Sequence, residues 1–273
     1  MSVESPGATT VALPADAPIL GPSLRRLRPI VLPLATAAGM LLFWQFAAAL
    51  LRVPAVVLPT PAEIGSELWQ ELPALIGNAV PTTRDTLAAF FAATVLGVGL
   101  AVAISYSPLL RDTLYPNLVL LQLVPKVALA PLFVIWLGIG SSSRVAFAGF
   151  VSFFPVVIAA AVGFAGSEPA ALRLCRSLTA SDWRCFVLVR FPFALPAIFS
   201  GMKVAMTMAV IGVVIGEFIY SQAGLGFYIL NAGARLNTAE VFAALVVLCA
   251  LGVALYGLVA LTERVVRRVY GRH

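Results

Sequence analysis

The chain has 273 residues, 61% hydrophobic and 11% charged, with a mean hydropathy of +1.00. Soluble domains carry roughly 25% charged residues, so this composition excludes a soluble globule and leaves room for about six membrane spans of about 20 residues plus loops. The net charge of +6 and pI near 9.7 raise a nucleic-acid reading. That reading has first to be tested against membrane topology, because Lys and Arg gather on the cytoplasmic side.

Residues 1–24 are rich in Pro, Ala, Ser and Thr without helical or strand periodicity and read as a disordered tail. Arg25, Arg26 and Arg28 then precede an apolar run from Ile30 to Leu51. The run is too long for the 7 to 15 residues of a signal-peptide core, so a retained first span is expected, within a first segment of 25–56. An external segment occupies 57–83. In it Glu63, Glu67 and Glu71 recur every four residues beside a stripe of Ile64, Leu68 and Leu72, with Thr60 as cap and Pro61 as opening residue. This pattern predicts a helix lying on the membrane surface.

The five-span core is placed at 84–270, with spans at about 86–106, 115–137, 145–165, 193–218 and 239–261. "SPLLRDTLYP" and "GIGSSSR" read as short links, and "YSQAGLGFYILNAGARLNTAE" as an ordered turn-rich loop that dips back toward the membrane. With the N-terminus inside, the cytoplasmic segments collect Arg25, Arg26, Arg28, Arg111, Arg173, Arg176, Arg184, Arg190, Arg264, Arg267, Arg268 and Arg272. The other side receives Arg52, Arg84, Arg144 and Arg235. This bias places both termini in the cytoplasm and accounts for the basic pI without nucleic acid. Cys175, Cys185 and Cys249 form no CxxC, and His273 is the single histidine, so neither a disulfide framework nor a metal site is expected. The same histidine count excludes a Ser/His/Asp set, and no paired carboxylates stand at catalytic spacing, so no intrinsic enzyme chemistry is expected.

Residues 166–191 form the longest internal cytoplasmic segment and read as two short helices joined by a break. Ala171, Leu172, Cys175 and Leu178 line one face of the first, with Arg173 and Arg176 off it. In the second, Ser181 is placed to cap, Asp182 suits the positive helix end, and Trp183, Phe186, Val187 and Phe191 supply an apolar face. Such a pair is either an interfacial element under the bilayer or a docking element for a cytoplasmic partner.

"SEPAALRLCRSLTASDWRCFVLVRFPFALPAIFSGMKVA" resembles the E-A-A loop of binding-protein-dependent ABC importer permeases, in the group that handles nitrate, sulfonates, taurine and thiamine pyrimidine precursors. "LPTPAEI", "LQLVPKVALAPLFVIWLGIG", "FFPVVI" and "VIGEFIYSQAGLGFYI" match in the same order. Arg173, Leu174 and Cys175 stand at the E-A-A positions and Thr179 at the family glycine, a departure from the pattern. The resemblance implies an all-α polytopic membrane protein of the type I ABC importer permease fold in the bacterial inner membrane. It also implies a docking loop carried by Arg173, Arg176, Ser177, Leu178, Thr179, Ala180, Ser181, Asp182 and Trp183. The partners it implies are cytoplasmic ABC ATPase subunits, an external solute-binding protein and a second permease copy, often identical. The chain has no GxxxxGK[ST], so ATP would be used by the partner and no cofactor bound directly.

Four positions are candidates for the translocation path. Lys126 lies mid-span after Pro125, where a lysine costs about 2.5 to 3.5 kcal/mol on insertion scales; a water-facing site and a snorkelling one both answer that cost. Glu217 is either its partner, a contact for solute, or a residue that holds a loop. Gln122 adds hydrogen-bonding capacity, with core packing as the alternative; Phe154, with Phe153, offers a ring for a flat solute, although aromatics in a span more often serve packing. The resemblance leans toward a small heterocycle such as a thiamine pyrimidine precursor, with sulfonate, taurine or nitrate as the alternative. An ATP-independent carrier or a membrane scaffold is the rival class.

Overall fold

The computed structural model describes residues 22–51, 53–166, 169–177 and 181–270, and every regular element among them is helical. Two compact units divide the chain after Arg52. The first holds α1, Pro22–Leu50, whose stretch Val31–Leu50 is apolar enough to cross a membrane. Within it the Thr36 hydroxyl donates to Leu32 O at 3.0 Å, so a polar side chain is answered inside its own helix.

The second unit begins with α2, Pro61–Gln70. Thr60 and Glu63 close a capping box: the Thr60 amide donates to Glu63 Oε2 at 2.7 Å and the Glu63 amide to Thr60 Oγ1 at 3.3 Å. Pro61 opens the first turn, where its missing N–H leaves no bond unmade. α3 starts almost at once and runs over Leu72–Tyr106. Its 35 residues make about 52 Å of helix, more than the roughly 30 Å hydrocarbon core, so it projects from the bilayer or crosses it tilted.

The expected third span is corrected by the structure. Helix α4, Pro108–Gln122, takes in most of the stretch expected as a link, with Ser107 as its cap. Beyond Gln122 the chain turns by 92° into a 3-10 turn, Lys126–Leu129, and then α5, Ala130–Leu137. The reason is local: Pro125 and Pro131 each lack an amide donor, so a straight helix through both would lose two hydrogen bonds and clash with the preceding turns. Gly138 and Gly140 end this arm, and α6 covers Ser141–Ala165.

After α7, Pro169–Ser177, comes α8, Asp182–Cys185. The second of the two expected short helices is continuous with the fifth span, expected at about 193–218. From Asp182 the chain stays helical to Ile219, through a π-helical turn at Phe186–Arg190 and then α9, Phe191–Ile219. The Phe191 amide bonds to Phe186 O, and this wider register lets the chain pass Pro192 without a stop. A short α10, Leu225–Ala234, precedes α11, Thr238–Tyr270. Among the described residues five helices are long and apolar enough to span, and the count is six if the bent α4–α5 pair is one broken span rather than a re-entrant loop.

The core of this unit lies along α6, which packs against α3 on one side and α9 on the other. Ala148, Val156, Val157 and Ala160 of α6 are fully buried, as are Ala89, Ala101, Ala205 and Val213 of its neighbours. Small residues set the spacing. A Cβ on Gly212 would fall 2.7 Å from Ala148 Cα, and one on Gly201 would fall 2.9 Å from Pro155 O. Apolar transfer contributes little between helices already in lipid, so this close contact is where the packing energy comes from.

Gly212→Val forces that pair apart, with an overpacking cost of about 1–3 kcal/mol. The expected outcome in detergent is a lowered melting temperature, while Gly257→Val, where nothing lies within 4 Å of a new Cβ, leaves it unchanged.

Candidate functional site

Three places among the described residues of the second unit bear on the expected site residues. At the arginine-rich end, α7 and α8 carry the expected docking segment. Leu178, Thr179, Ala180 and the side chain of Arg176 lie outside the described residues. Ser181 caps α8, its hydroxyl accepting from the Arg184 amide at 3.4 Å, and the Ser177 hydroxyl donates to Leu174 O at 2.8 Å. Arg173 sits on α7 and Asp182 opens α8. Trp183 is 64% exposed, yet its ring is stacked on buried Phe186 at 5.7 Å. Phe186 in turn meets Tyr106, Phe164 and Phe191, so an exposed indole rests on an aromatic core shared by three helices. The neighbouring Cys185, together with burial, pushes the Cys175 thiol up, away from the reactive thiolate.

The second place is the break between α4 and α5. Lys126 stands on it, half-buried, with Nζ donating to Gln122 O at 2.8 Å and lying 4.9 Å from the centre of the Phe154 ring. The Gln122 contact is through its backbone. Phe154 is only 2% exposed, so it forms a floor beneath the ammonium rather than a wall for a flat solute. Phe150 and Phe153 pack against Phe154, and Phe133 against Phe150. Of the chain's two lysines, Lys203 is neutralised by Glu263 at 2.5 Å, whereas Lys126 meets no carboxylate among the described residues.

The third place joins the far ends of α3, α6 and α9. Glu217 is 1% exposed and does not pair with Lys126. Its Oε1 accepts from the Thr82 hydroxyl at 2.8 Å and its Oε2 from the Gly226 amide at 2.7 Å. Thr82 Oγ1 also accepts from the Leu225 amide at 2.9 Å, and Asn78 Oδ1 from the Gly224 amide at 3.0 Å. Three amides at the α10 entrance are therefore held by α3 and α9. Gly224 has φ 113, and a Cβ there would fall 2.1 Å from Glu217 Oε1, so only glycine fits this turn. Beside it Asp85 pairs with Arg144 at 2.9 Å, almost wholly buried, and accepts from Ser141 at 2.5 Å. Arg144 also donates to Ser221 at 3.3 Å. From α2, Glu67 accepts from Asn237 at 3.1 Å and Glu71 from Tyr228 at 3.2 Å, which ties the surface helix to the same end.

Sequence reasoning singles out Glu217 but not Thr82, Asp85 or Arg144. The missed signal is a lone aspartate inside an apolar helix, a residue that needs a named partner wherever it is buried. Arg144 counts, on sequence alone, only as a loop charge.

A model of the binding-protein-dependent transport system inner membrane component matches residues 93–269. The chain belongs to that family. A probable ABC transporter permease protein of Haemophilus influenzae is 32% identical over 82% of this chain and 91% of its own. The riboflavin transport system permease protein RibX of Chloroflexus aurantiacus is 31% identical over 84% and 86%. The taurine transport system permease protein TauC of Escherichia coli is 32% identical over 87% and 89%. Among solved structures, an inward-facing form of the MetNI methionine ABC transporter aligns with a TM-score of 0.62 at 17% identity, covering 74% of this chain and 98% of that one. The fold is that of a type I ABC importer permease, and the chain is an importer permease of the binding-protein-dependent family.

In this permease the buried Asp85–Arg144 pair sets up a double-mutant test. Removing one partner strands a buried charge, at about 3–5 kcal/mol. Asp85→Ala and Arg144→Ala are each expected to lower the melting temperature sharply, and Asp85→Leu with Arg144→Met to recover much of the loss. Glu217→Gln puts an amide donor against either Thr82 or the Gly226 N–H, so a loss of about 1–3 kcal/mol is expected in thermal unfolding.

Proposed function

We propose that this chain is the membrane subunit of an ATP-driven importer for a small organic solute bearing an acidic group. The observation that carries the solute reading is Lys126: a cation on a helix break, in a chain this apolar, with no carboxylate against it among the described residues. An ammonium so placed is stabilised when an anion passes, and a broken helix offers polar backbone at that depth. Sulfonates and taurine fit this description, and likeness to the taurine permease TauC supports it.

A heterocycle such as a thiamine pyrimidine precursor is the second reading. Likeness to the RibX riboflavin permease and to the formylaminopyrimidine transport permease protein ThiX of Halalkalibacterium halodurans, 27% identical, favours it.

In this proposal residues 166–191 face the cytoplasm and dock an ATPase subunit through Trp183 and its arginine neighbours. A solute-binding protein delivers from the other side, and a second permease copy completes the path. The route of coupling is contiguous. α8 continues into α9, α9 packs on α6 at Gly201 and Pro155, and Phe154, next to Pro155, underlies Lys126. A displacement of the docking segment thus reaches the break through rigid helices, the alternating-access behaviour expected of two discrete states.

Lys126→Met is expected to cut uptake of taurine and alkylsulfonates at least about tenfold, the scale of one lost charge-assisted contact, while the purified complex stays assembled. Equal loss for a neutral pyrimidine would favour the heterocycle reading, and failed assembly would make Lys126 structural. Trp183→Ala is expected to lose the ATPase during purification with the chain still inserted; unchanged copurification would count against docking there.

A further inference from the structure

A cavity of about 600 Å³ lies at the arginine-rich end, between the docking segment and the core. Ser105 from the end of α3, Arg111 and Tyr115 from α4, Phe164 from α6, Leu172 from α7 and Arg190 from the foot of α9 line it. Arg190 spends one nitrogen on Ser105, with Nη1 at 3.4 Å from the backbone oxygen and 3.3 Å from the hydroxyl, and meets no carboxylate among the described residues. Arg111 touches Asp112 at 3.2 Å, a pair in which both side chains are well exposed and the attraction correspondingly weak. Asp182 lines an adjoining lobe, which Ser105, Arg111, Leu172 and Arg190 line as well.

Arg111 and Arg190, carried by separate elements, thus line one space together with Ser105 and Tyr115 and with the apolar Phe164 and Leu172. Planar N–H forks of this kind match the tetrahedral oxygens of phosphate. The volume far exceeds a bare phosphate ion, and the apolar lining asks for a carbon body on the same molecule.

We infer that this cavity binds a phosphate ester with an apolar body, bridging Arg111 and Arg190 against Leu172. Its place at the ends of α3, α6 and α9, the end assigned above to the cytoplasm, puts it at headgroup depth, so an anionic phospholipid of that leaflet is one source of the ester. A soluble phosphate ester is the other. Either one, once bound, links the docking helix α7 to α4 and to the foot of α9, and so biases the element proposed to receive the ATPase stroke.

The test is native mass spectrometry on the purified full chain, titrated with phosphatidylglycerol, with phosphatidylcholine, and with glycerol 3-phosphate. It needs no ATPase and no transport, so its outcome is separate from the solute reading. The expected result is one phosphatidylglycerol held in preference to phosphatidylcholine, weakened about tenfold in Arg111→Gln and in Arg190→Gln, the scale of a lost charge-assisted bond. Arg111 is exposed and, among the described residues, its ion pair is with exposed Asp112, so its variant keeps the fold even where Arg190→Gln does not. Displacement of the lipid by glycerol 3-phosphate would assign the site to soluble esters, and its failure to compete would assign it to the bilayer. Binding of neither anionic probe, or wild-type affinity in Arg111→Gln, would overturn the inference.

Discussion

A carboxylate closed off from water has to be answered by donors inside the protein, and meeting that demand at Glu217 shapes one whole end of the molecule. Its two oxygens are taken by Thr82 of α3 and the amide of Gly226 at the start of α10. The chain between α9 and α10 must therefore fold back over the carboxylate, and only a glycine at 224 leaves room for it. With the Asp85–Arg144 pair alongside, the ends of α3, α6, α9 and α10 become one fixed block. A hydrophobic driving force cannot supply such fixing within a bilayer, where lipid is as apolar as leucine.

The other end of the unit is built differently. Trp183 and Leu174 are exposed, the ring cluster around Phe186 is apolar, and a large cavity separates α7 from the core. A segment joined to the core through rings and one arginine has fewer directional bonds to break than the Glu217 block. Stiffness at one end and a loosely attached segment at the other suit the proposed subunit that is moved from outside, in which α9 would be the lever between them.

Much of this is legible in the sequence. Apolar length counts the spans, the Thr60–Pro61–Glu63 pattern locates α2, and Ser181 marks the start of α8. The third span escapes such a reading because its apolar run outweighs Pro125 and Pro131, and the run's composition is the same whether it is straight or bent by 92°. The continuity of α8 with α9 escapes it as well. A π-turn at Phe186–Arg190 carries the helix past Pro192, and no local sequence pattern marks such a turn. Pairings such as Asp85 with Arg144, distant in sequence, are invisible without the fold, although each charge on its own announces the need for one.

In the proposed function this chain moves solute only when an ATPase subunit drives the segment of α7 and α8. The direct measurement is uptake into proteoliposomes that contain this chain with its solute-binding protein, with and without the partner ATPase. Uptake that appears only with the ATPase and ATP is the predicted result. Concentrative uptake by the chain without the ATPase would contradict the account and identify a carrier that needs no motor.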